Sequence, residues 1–119
     1  MDASAVSDPP AVIVSVRITA VEEDVRRQIA ALVDPVAAQP GCRRCVLLVD
    51  AARPELLTIV EEWRTRPDME RHFRSQEFWQ LLLAAEMSAE RPEFSIDTLA
   101  CREGLEAIAR SRASGRTEP

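Results

Sequence analysis

The chain contains no Lys, no Asn and no Tyr, so all 15 of its basic residues are Arg. These three amino acids share A/T-rich codons, and their joint absence indicates a GC-rich, bacterial genome rather than a function. No positively charged segment followed by an apolar run opens the sequence, and no apolar stretch reaches the ~18 to 20 residues of a membrane span. We therefore expect a cytoplasmic protein without a membrane partner.

The sequence also lacks any cluster of positive charge. Its formal net charge is -5, and its Arg residues alternate with acidic residues along the chain. Nonspecific binding to nucleic acid or to an anionic membrane needs a basic patch, so both functions are disfavoured. The three cysteines should be reduced thiols in the cytoplasm.

The length of 119 residues and the hydrophobic content of 46% fit one globular domain with its own core. Residues 1–9 and 112–119 show no apolar periodicity, which predicts disordered tails. Between them the sequence predicts a main domain at 10–102 and a C-terminal helix at 103–111.

The strands are recognised by alternation and by apolar, β-branched runs. In the first, Val12, Val14, Val16 and Ile18 form one wholly apolar face. Further strands are predicted at 42–50, 56–63 and 94–101.

The helices are recognised by apolar spacing and by capping residues. Thr19 and Glu22 fit a capping box, and the first helix follows them, with Pro35 either kinking or ending it. Thr65 caps a second helix, whose first turn holds Pro67 and Asp68. A third helical stretch covers about 76–87.

The order β-α-β-β-α-β predicts an α+β, ferredoxin-like fold, with an antiparallel sheet and helices on one of its faces. The other face of the sheet would carry Ile13 and apolar residues of the neighbouring strands without cover. Because an exposed apolar sheet usually marks an interface, we expect a homodimer that packs sheet to sheet.

The segment GCRRC raises a redox or zinc interpretation, which we disfavour. On a regular strand Cys42 and Cys45 would point to opposite faces, about 10 Å apart, too far for a disulfide. A zinc site needs four ligands, and Cys101 is expected at the opposite edge of the sheet. We predict no metal site, although a site shared across the dimer stays open.

Four features together resemble the antibiotic biosynthesis monooxygenase family: PGC at a strand start, a short hairpin, IVEEW, and a helix carrying H-F-R-S-x-x-F. The resemblance covers roughly residues 11–101. It implies a dimeric α+β barrel. In family members that are enzymes, O₂ oxidises a phenol, quinol or anthrone without a metal or a flavin, so the resemblance implies no cofactor and a small aromatic ligand.

Such chemistry requires a base, an apolar box for a flat substrate, and a donor or cation for the developing oxyanion. His72 is the only histidine and the natural proton acceptor, and it matches the motif histidine of the family. The alternative is a helix histidine that bonds Asp68 one turn back. Trp63 ends a strand where family pockets are lined, and the alternative is a core or interface tryptophan.

The remaining substrate-binding candidates carry alternative structural roles. Glu61 shares a strand face with Trp63 and could pair with Arg17 on the adjoining strand. Ser15 is the polar residue nearest to where heme-degrading relatives place an Asn, so heme degradation is disfavoured. The helical wall of the pocket would be formed by residues whose spacing is also that of a core: Phe73, Phe78 and Trp79.

The absence of Asn and Tyr supports a second hypothesis. Several family enzymes use these residues near the substrate, and this chain has neither. The alternative function is a non-catalytic, dimeric domain that binds a small molecule or acts as an accessory.

Overall fold

A computed structural model of the chain describes residues 9–116, with side chains described through Ser114. Its elements, in chain order, are β1 (Val12–Thr19), α1 (Glu23–Ala37), β2 (Cys42–Val49), β3 (Leu56–Trp63), α2 (Arg66–Phe73), α3 (Gln76–Glu86), β4 (Glu93–Thr98) and α4 (Leu105–Arg116). The four strands form one antiparallel sheet in the order β2-β3-β1-β4. This arrangement confirms the predicted ferredoxin-like α+β fold.

The apolar face of β1 faces the helices, as its alternation predicts. Val12, Val14, Val16 and Ile18 are each no more than 2% exposed. They pack with Val25, Ile29, Leu32 and Val36 of α1, which recur every three or four residues and so form one stripe. Each such buried side chain contributes roughly 1.5 to 3 kcal/mol, so this layer dominates the stability of the domain.

The start of α1 differs from the predicted capping box. Glu22 is the N-cap residue and its side chain makes no capping hydrogen bond. Thr19 instead ends β1 and pairs with Leu56, while its hydroxyl donates to Glu90 Oε1 at 3.0 Å. The capping-box prediction was wrong because Thr19 takes part in strand pairing and in a hydrogen bond to Glu90, which lies in a distant loop.

Pro35 does not end α1. The helix continues two residues beyond it to Ala37. Proline has no amide hydrogen, so the carbonyl of Ala31 loses its usual helical donor.

The corner between β3 and α2 forms as its sequence predicts. The Thr65 hydroxyl accepts a hydrogen bond from the Asp68 amide, and Pro67 lies in the first turn. Gly41 approaches this corner with φ +83°, and a Cβ built there would lie 2.3 Å from Asp68 Cγ. Glycine is therefore required at residue 41 for both its backbone angle and its size.

The prediction that Cys42 and Cys45 face opposite ways was wrong. The pairing of β2 with β3 shifts register between Cys42 and Arg44, so Cys42 lies opposite Trp63 and Cys45 lies opposite Glu61. A β-bulge adds one residue to a strand and so changes which face the later side chains occupy. Both thiols therefore face the helices, and both are free.

The helices leave β4 uncovered. Phe94 and Ile96 lie on the helix-facing side of this edge strand, yet they are 49% and 45% exposed. β4 ends at Thr98, three residues earlier than predicted, so Cys101 lies beyond it.

The C-terminal helix ends at Arg116 rather than near residue 111, so residues 112–116 are helical and not part of a tail. The predicted tails at 1–8 and 117–119 lie outside the described residues. No helix within residues 9–116 is long and apolar enough to cross a membrane.

Candidate active site

The only histidine of the chain lies between the sheet and the helices, at the end of β3. Strand alternation places Glu61 and Trp63 on the helix-facing side, and the last turn of α2 brings His72 over them. All three side chains are at most 2% exposed. The local sequence therefore creates a polar group inside the core.

Glu61 joins its two neighbours through hydrogen bonds. Trp63 donates its indole Nε1–H to Glu61 Oε1 at 3.1 Å. His72 Nε2 lies 3.0 Å from Oε1 and 3.1 Å from Oε2 of the same carboxylate. A buried carboxylate is costly unless it is paired in this way.

The other nitrogen of His72 fixes the tautomer of the ring. Gln39 donates its Nε2 hydrogen to Glu77 Oε1 at 2.8 Å, so its Oε1 faces His72 Nδ1 at 2.7 Å and accepts a hydrogen from it. Nε2 of a ring protonated at Nδ1 would present a lone pair to the Glu61 carboxylate, and two acceptors repel each other. One proton must therefore lie between His72 and Glu61, and the two residues form an acid–base pair.

Aromatic rings enclose this pair. Trp63 stacks on His72 with a centroid distance of 4.5 Å and an interplanar angle of 26°. Phe78 meets the imidazole edge-on at 5.2 Å, and Phe73 packs against Phe78 at 4.6 Å. Water is excluded from the ring, which strengthens its hydrogen bonds.

Three of the predicted site residues lie elsewhere. Ser15 and Arg17 are on the opposite face of the sheet, and Arg17 pairs with Glu93 at 3.5 Å rather than with Glu61. Trp79 is 59% exposed on the outside of α3. The structure thus brings together His72, Trp63, Glu61, Phe73 and Phe78. It places Ser15 and Arg17 on the other face of the sheet, and it places Trp79 on the outer surface, where it lines a groove with Phe73.

The partners of His72 also differ from the structural alternative. Asp68 does not bond the histidine; it bonds the Thr65 hydroxyl at 2.8 Å and pairs with Arg71 at 3.3 Å. Gln39, which completes the site, was missed by sequence reasoning. It lies in the turn after α1, 33 residues from His72, and a single glutamine before Pro-Gly carries no signal of such a contact.

Cys42 and Cys45 of β2 also face the layer between the sheet and the helices. Burial raises the pKa of Cys45 to about 12, and the nearby Glu61 carboxylate adds to this effect. Burial also raises the pKa of Cys42, with a smaller contribution from Glu61. A thiol held in its neutral form is a poor nucleophile and a poor metal ligand.

The nearest open space to His72 is a groove of about 440 Å³ lined by Phe73, Ser75, Trp79 and Leu82, among others. Ser75 Oγ lies 3.4 Å from His72 Nδ1, and the ring of Phe73 lies 6.1 Å from the imidazole. No group of three or more His, Cys, Asp or Glu side chains within residues 9–116 could hold a metal ion.

Fold and site together define a ferredoxin-like α+β domain with a buried His–Glu pair between its layers. A sequence profile of the antibiotic biosynthesis monooxygenase family matches residues 12–81. The chain belongs to this family. No curated protein sequence is significantly similar to it.

Solved structures show the same fold. A protein from Pseudomonas aeruginosa is 25% identical, with a TM-score of 0.65 over 82% of this chain and 100% of its own. A conserved protein from Methanosarcina mazei is 22% identical, with a TM-score of 0.67 over 77% and 95%. A variant of SnoaB, a cofactor-independent oxygenase from Streptomyces nogalater, is 19% identical, with a TM-score of 0.66 over 83% and 98%.

Proposed function

We propose that this protein is a cofactor-independent monooxygenase that oxidises a small aromatic phenol, quinol or anthrone with O₂. The observation that carries the proposal is the fully buried His72–Glu61 pair stacked on Trp63. Such a pair costs stability in a core that apolar residues could fill, so its presence needs a reason other than packing. The family membership of the chain and its structural similarity to SnoaB support the same proposal.

The proposed reaction needs only a base and a dry, apolar site. When the Gln39 contact opens, His72 Nδ1 releases its proton to solvent and can then take one from the substrate, while Nε2 stays bonded to Glu61. The resulting substrate anion transfers an electron to O₂. The two radicals combine into a hydroperoxide, which loses water. For an anthrone the sum is one CH₂ and one O₂ converted to one C=O and one H₂O, so the substrate supplies all electrons.

The substrate in this proposal lies in the groove lined by Phe73, Ser75 and Trp79. Phe73 lines that groove and its ring lies 6.1 Å from the imidazole, so we expect its side chain to rotate when the substrate approaches His72. The aromatic walls suit a flat ring, and the groove volume of about 440 Å³ is within the usual range for small ligands.

The test is O₂ uptake with a panel of hydroxyanthrones and quinols. In Glu61→Gln, the amide can accept from Trp63 and donate to His72, so the fold is kept while the carboxylate that stabilises the protonated imidazole is lost. We expect kcat/KM to fall about a hundredfold or more, the usual contribution of a general base. Glu70→Gln, which changes an exposed carboxylate on α2, is the control and should match the wild type. An inert wild type, or an active Glu61→Gln, would refute the proposal.

The second candidate is a non-catalytic domain that binds an apolar small molecule. The complete burial of His72 and Glu61 favours it, because a closed pair already satisfied by Gln39 and Trp63 needs no substrate. A purified protein that carries a bound apolar ligand and shows no turnover under oxygen would support this function.

In both cases we propose that the protein acts as a homodimer that packs sheet to sheet. The face of the sheet away from the helices carries partly exposed apolar residues on β1, β2 and β3: Ile13, Val46, Val60 and Leu48. Arg44 and Asp97 lie near opposite edges of that face. If a two-fold axis runs along the strands, β2 of one copy lies over β4 of the other and these opposite charges meet.

A further inference from the structure

A second groove lies between α1 and α3, on the outer side of the helix layer. Its volume is about 410 Å³, within the range of small-molecule sites. Its apolar wall is formed by Leu32, Pro35 and Leu83. The groove does not include Phe73 or Trp79, so it is separate from the proposed substrate groove.

The charge of this groove is negative. Glu77 supplies a carboxylate, the one charged side chain among the described residues that line the groove. Two amide side chains, Gln28 and Gln80, complete the wall. No Arg is found among the described residues that line the groove, so its chemistry favours a ligand that is a donor and carries positive charge.

Glu77 also connects the groove with the buried pair. Its Oε1 accepts the Gln39 amide hydrogen at 2.8 Å, and Gln39 Oε1 accepts the His72 Nδ1 hydrogen at 2.7 Å. A carboxylate has about four acceptor positions, so Glu77 can bind a ligand while it holds Gln39. A cation at Glu77 would draw charge from this chain of hydrogen bonds and change the bond at His72.

We propose that the groove between α1 and α3 binds a small protonated amine with an apolar body, and that Glu77 and Gln39 transmit its binding to His72. Glu77 pairs with the ammonium group, while Leu32, Pro35 and Leu83 contact the apolar body. The proposal concerns binding alone and does not depend on the buried pair being catalytic. Because His72 is the only histidine of the chain, its NMR signals report the effect of ligand binding on this residue directly.

The experiment titrates ¹⁵N-histidine-labelled protein with 2-phenylethylamine and, separately, with 3-phenylpropionate, and follows the ring nitrogens of His72 by NMR. We expect saturable binding of the amine with a shift of the Nδ1 signal, and binding of the carboxylate at least about tenfold weaker. Glu77→Gln should weaken amine binding by about tenfold or more. Glu86→Gln, an exposed carboxylate on the same helix, should stay within about twofold of the wild type.

Gln39→Ala separates binding from transmission. This variant should bind the amine within about threefold of the wild type, as followed by backbone amide signals of α1 and α3, but its His72 signals should no longer respond. Absence of amine binding at millimolar concentration, or equal binding by Glu77→Gln, would overturn the site. A His72 response that persists in Gln39→Ala would overturn the transmission.

Discussion

Glu61 and Glu62 are adjacent carboxylates with the same chemistry and opposite surroundings. Glu61 faces the helices, where Trp63 and His72 satisfy both of its oxygens. Glu62 faces the other way and is only 6% exposed, yet its Oε2 has no hydrogen-bond partner within residues 9–116. Arg102 bonds its Oε1 at 2.7 Å, and Arg43 lies 3.7 Å from Oε2.

The difference shows which side of the sheet is complete. Buried polar atoms in native proteins almost always have hydrogen-bond partners, so a carboxylate oxygen with an ion pair but no hydrogen bond needs an explanation. The helix side closes every bond of Glu61 within one chain. On the open face, the side of the sheet away from the helices, Glu62 Oε2 has no hydrogen bond and a set of apolar side chains is partly exposed. Both features agree with the proposed second copy on that face.

The largest expected effect is the loss of one member of the buried pair. His72→Leu leaves the Glu61 carboxylate with Trp63 alone, and we expect it to lower the free energy of unfolding by about 3 kcal/mol. Glu61→Gln keeps every hydrogen bond and should cost less than about 1 kcal/mol. Urea unfolding measures both. If the two variants were equally stable, the pair would not be the coupled unit described above.

The double variant His72→Leu/Glu61→Leu refines this comparison. It removes both charges and should recover part of the stability that His72→Leu loses, because no unpaired carboxylate remains in the core. A double variant less stable than the sum of the single changes would contradict the coupling.

The next effect concerns the open face. Val60 lies at its centre, between Ser15 on β1 and Val46 on β2. Val60→Arg should weaken the proposed dimer by about tenfold or more, roughly 1.4 kcal/mol, because each copy would bury an unpaired charge. Sedimentation equilibrium measures the change, and Ala30→Arg on the exposed side of α1 is the control of equal charge. A wild type that is monomeric at micromolar concentration would contradict the dimer itself.

A smaller effect is expected in alkaline solution. The folded protein holds the pKa of Cys45 at about 12, above the ordinary thiol value of 9.0. The unfolded thiol therefore ionises first as the pH rises, and the stability present below pH 9 is lost between pH 9 and 12. The loss should be roughly 1 kcal/mol at pH 10.

The chain has no Lys and no Tyr to titrate in this range, and Cys42, whose pKa is also raised by burial, contributes in the same direction as Cys45. Urea unfolding at pH 8 and pH 10 should show a smaller difference for Cys45→Ala than for the wild type. Cys101→Ser, a change at an exposed cysteine, should keep the wild-type difference. An unchanged slope in Cys45→Ala would contradict the assignment.

The smallest effect is expected from α4. Leu105 and Ile108 are 75% and 58% exposed, and the described side chains of this helix are exposed except at Ala107. A chain that ends at Glu103 should unfold with a free energy within about 0.5 kcal/mol of the full chain. Thermal and urea unfolding of the shortened chain provide the measurement. A larger loss would show that α4 is supported by contacts beyond its own subunit.

The sequence predicted the fold because its local signals agree with one another. Strand alternation, the spacing of apolar residues in α1, and the Thr65 cap all point to the same arrangement, and consistent signals of this kind specify one structure. The fold predictions that failed concern Thr19, the facing of Cys42 and Cys45, and the ends of β4 and α4. In the first two cases a contact distant in sequence, or a β-bulge that no residue type indicates, outweighed the local pattern.

By itself, the sequence determined the order of the elements, the helix-facing side of β1 and the corner that brings Trp63 and His72 together. Only the tertiary structure decided what these residues bond. Gln39 reaches His72 from 33 residues away, and Arg17 turns to Glu93 instead of Glu61. The physical reason is that periodicity depends on neighbours along the chain, whereas a hydrogen bond depends on a few ångströms in space.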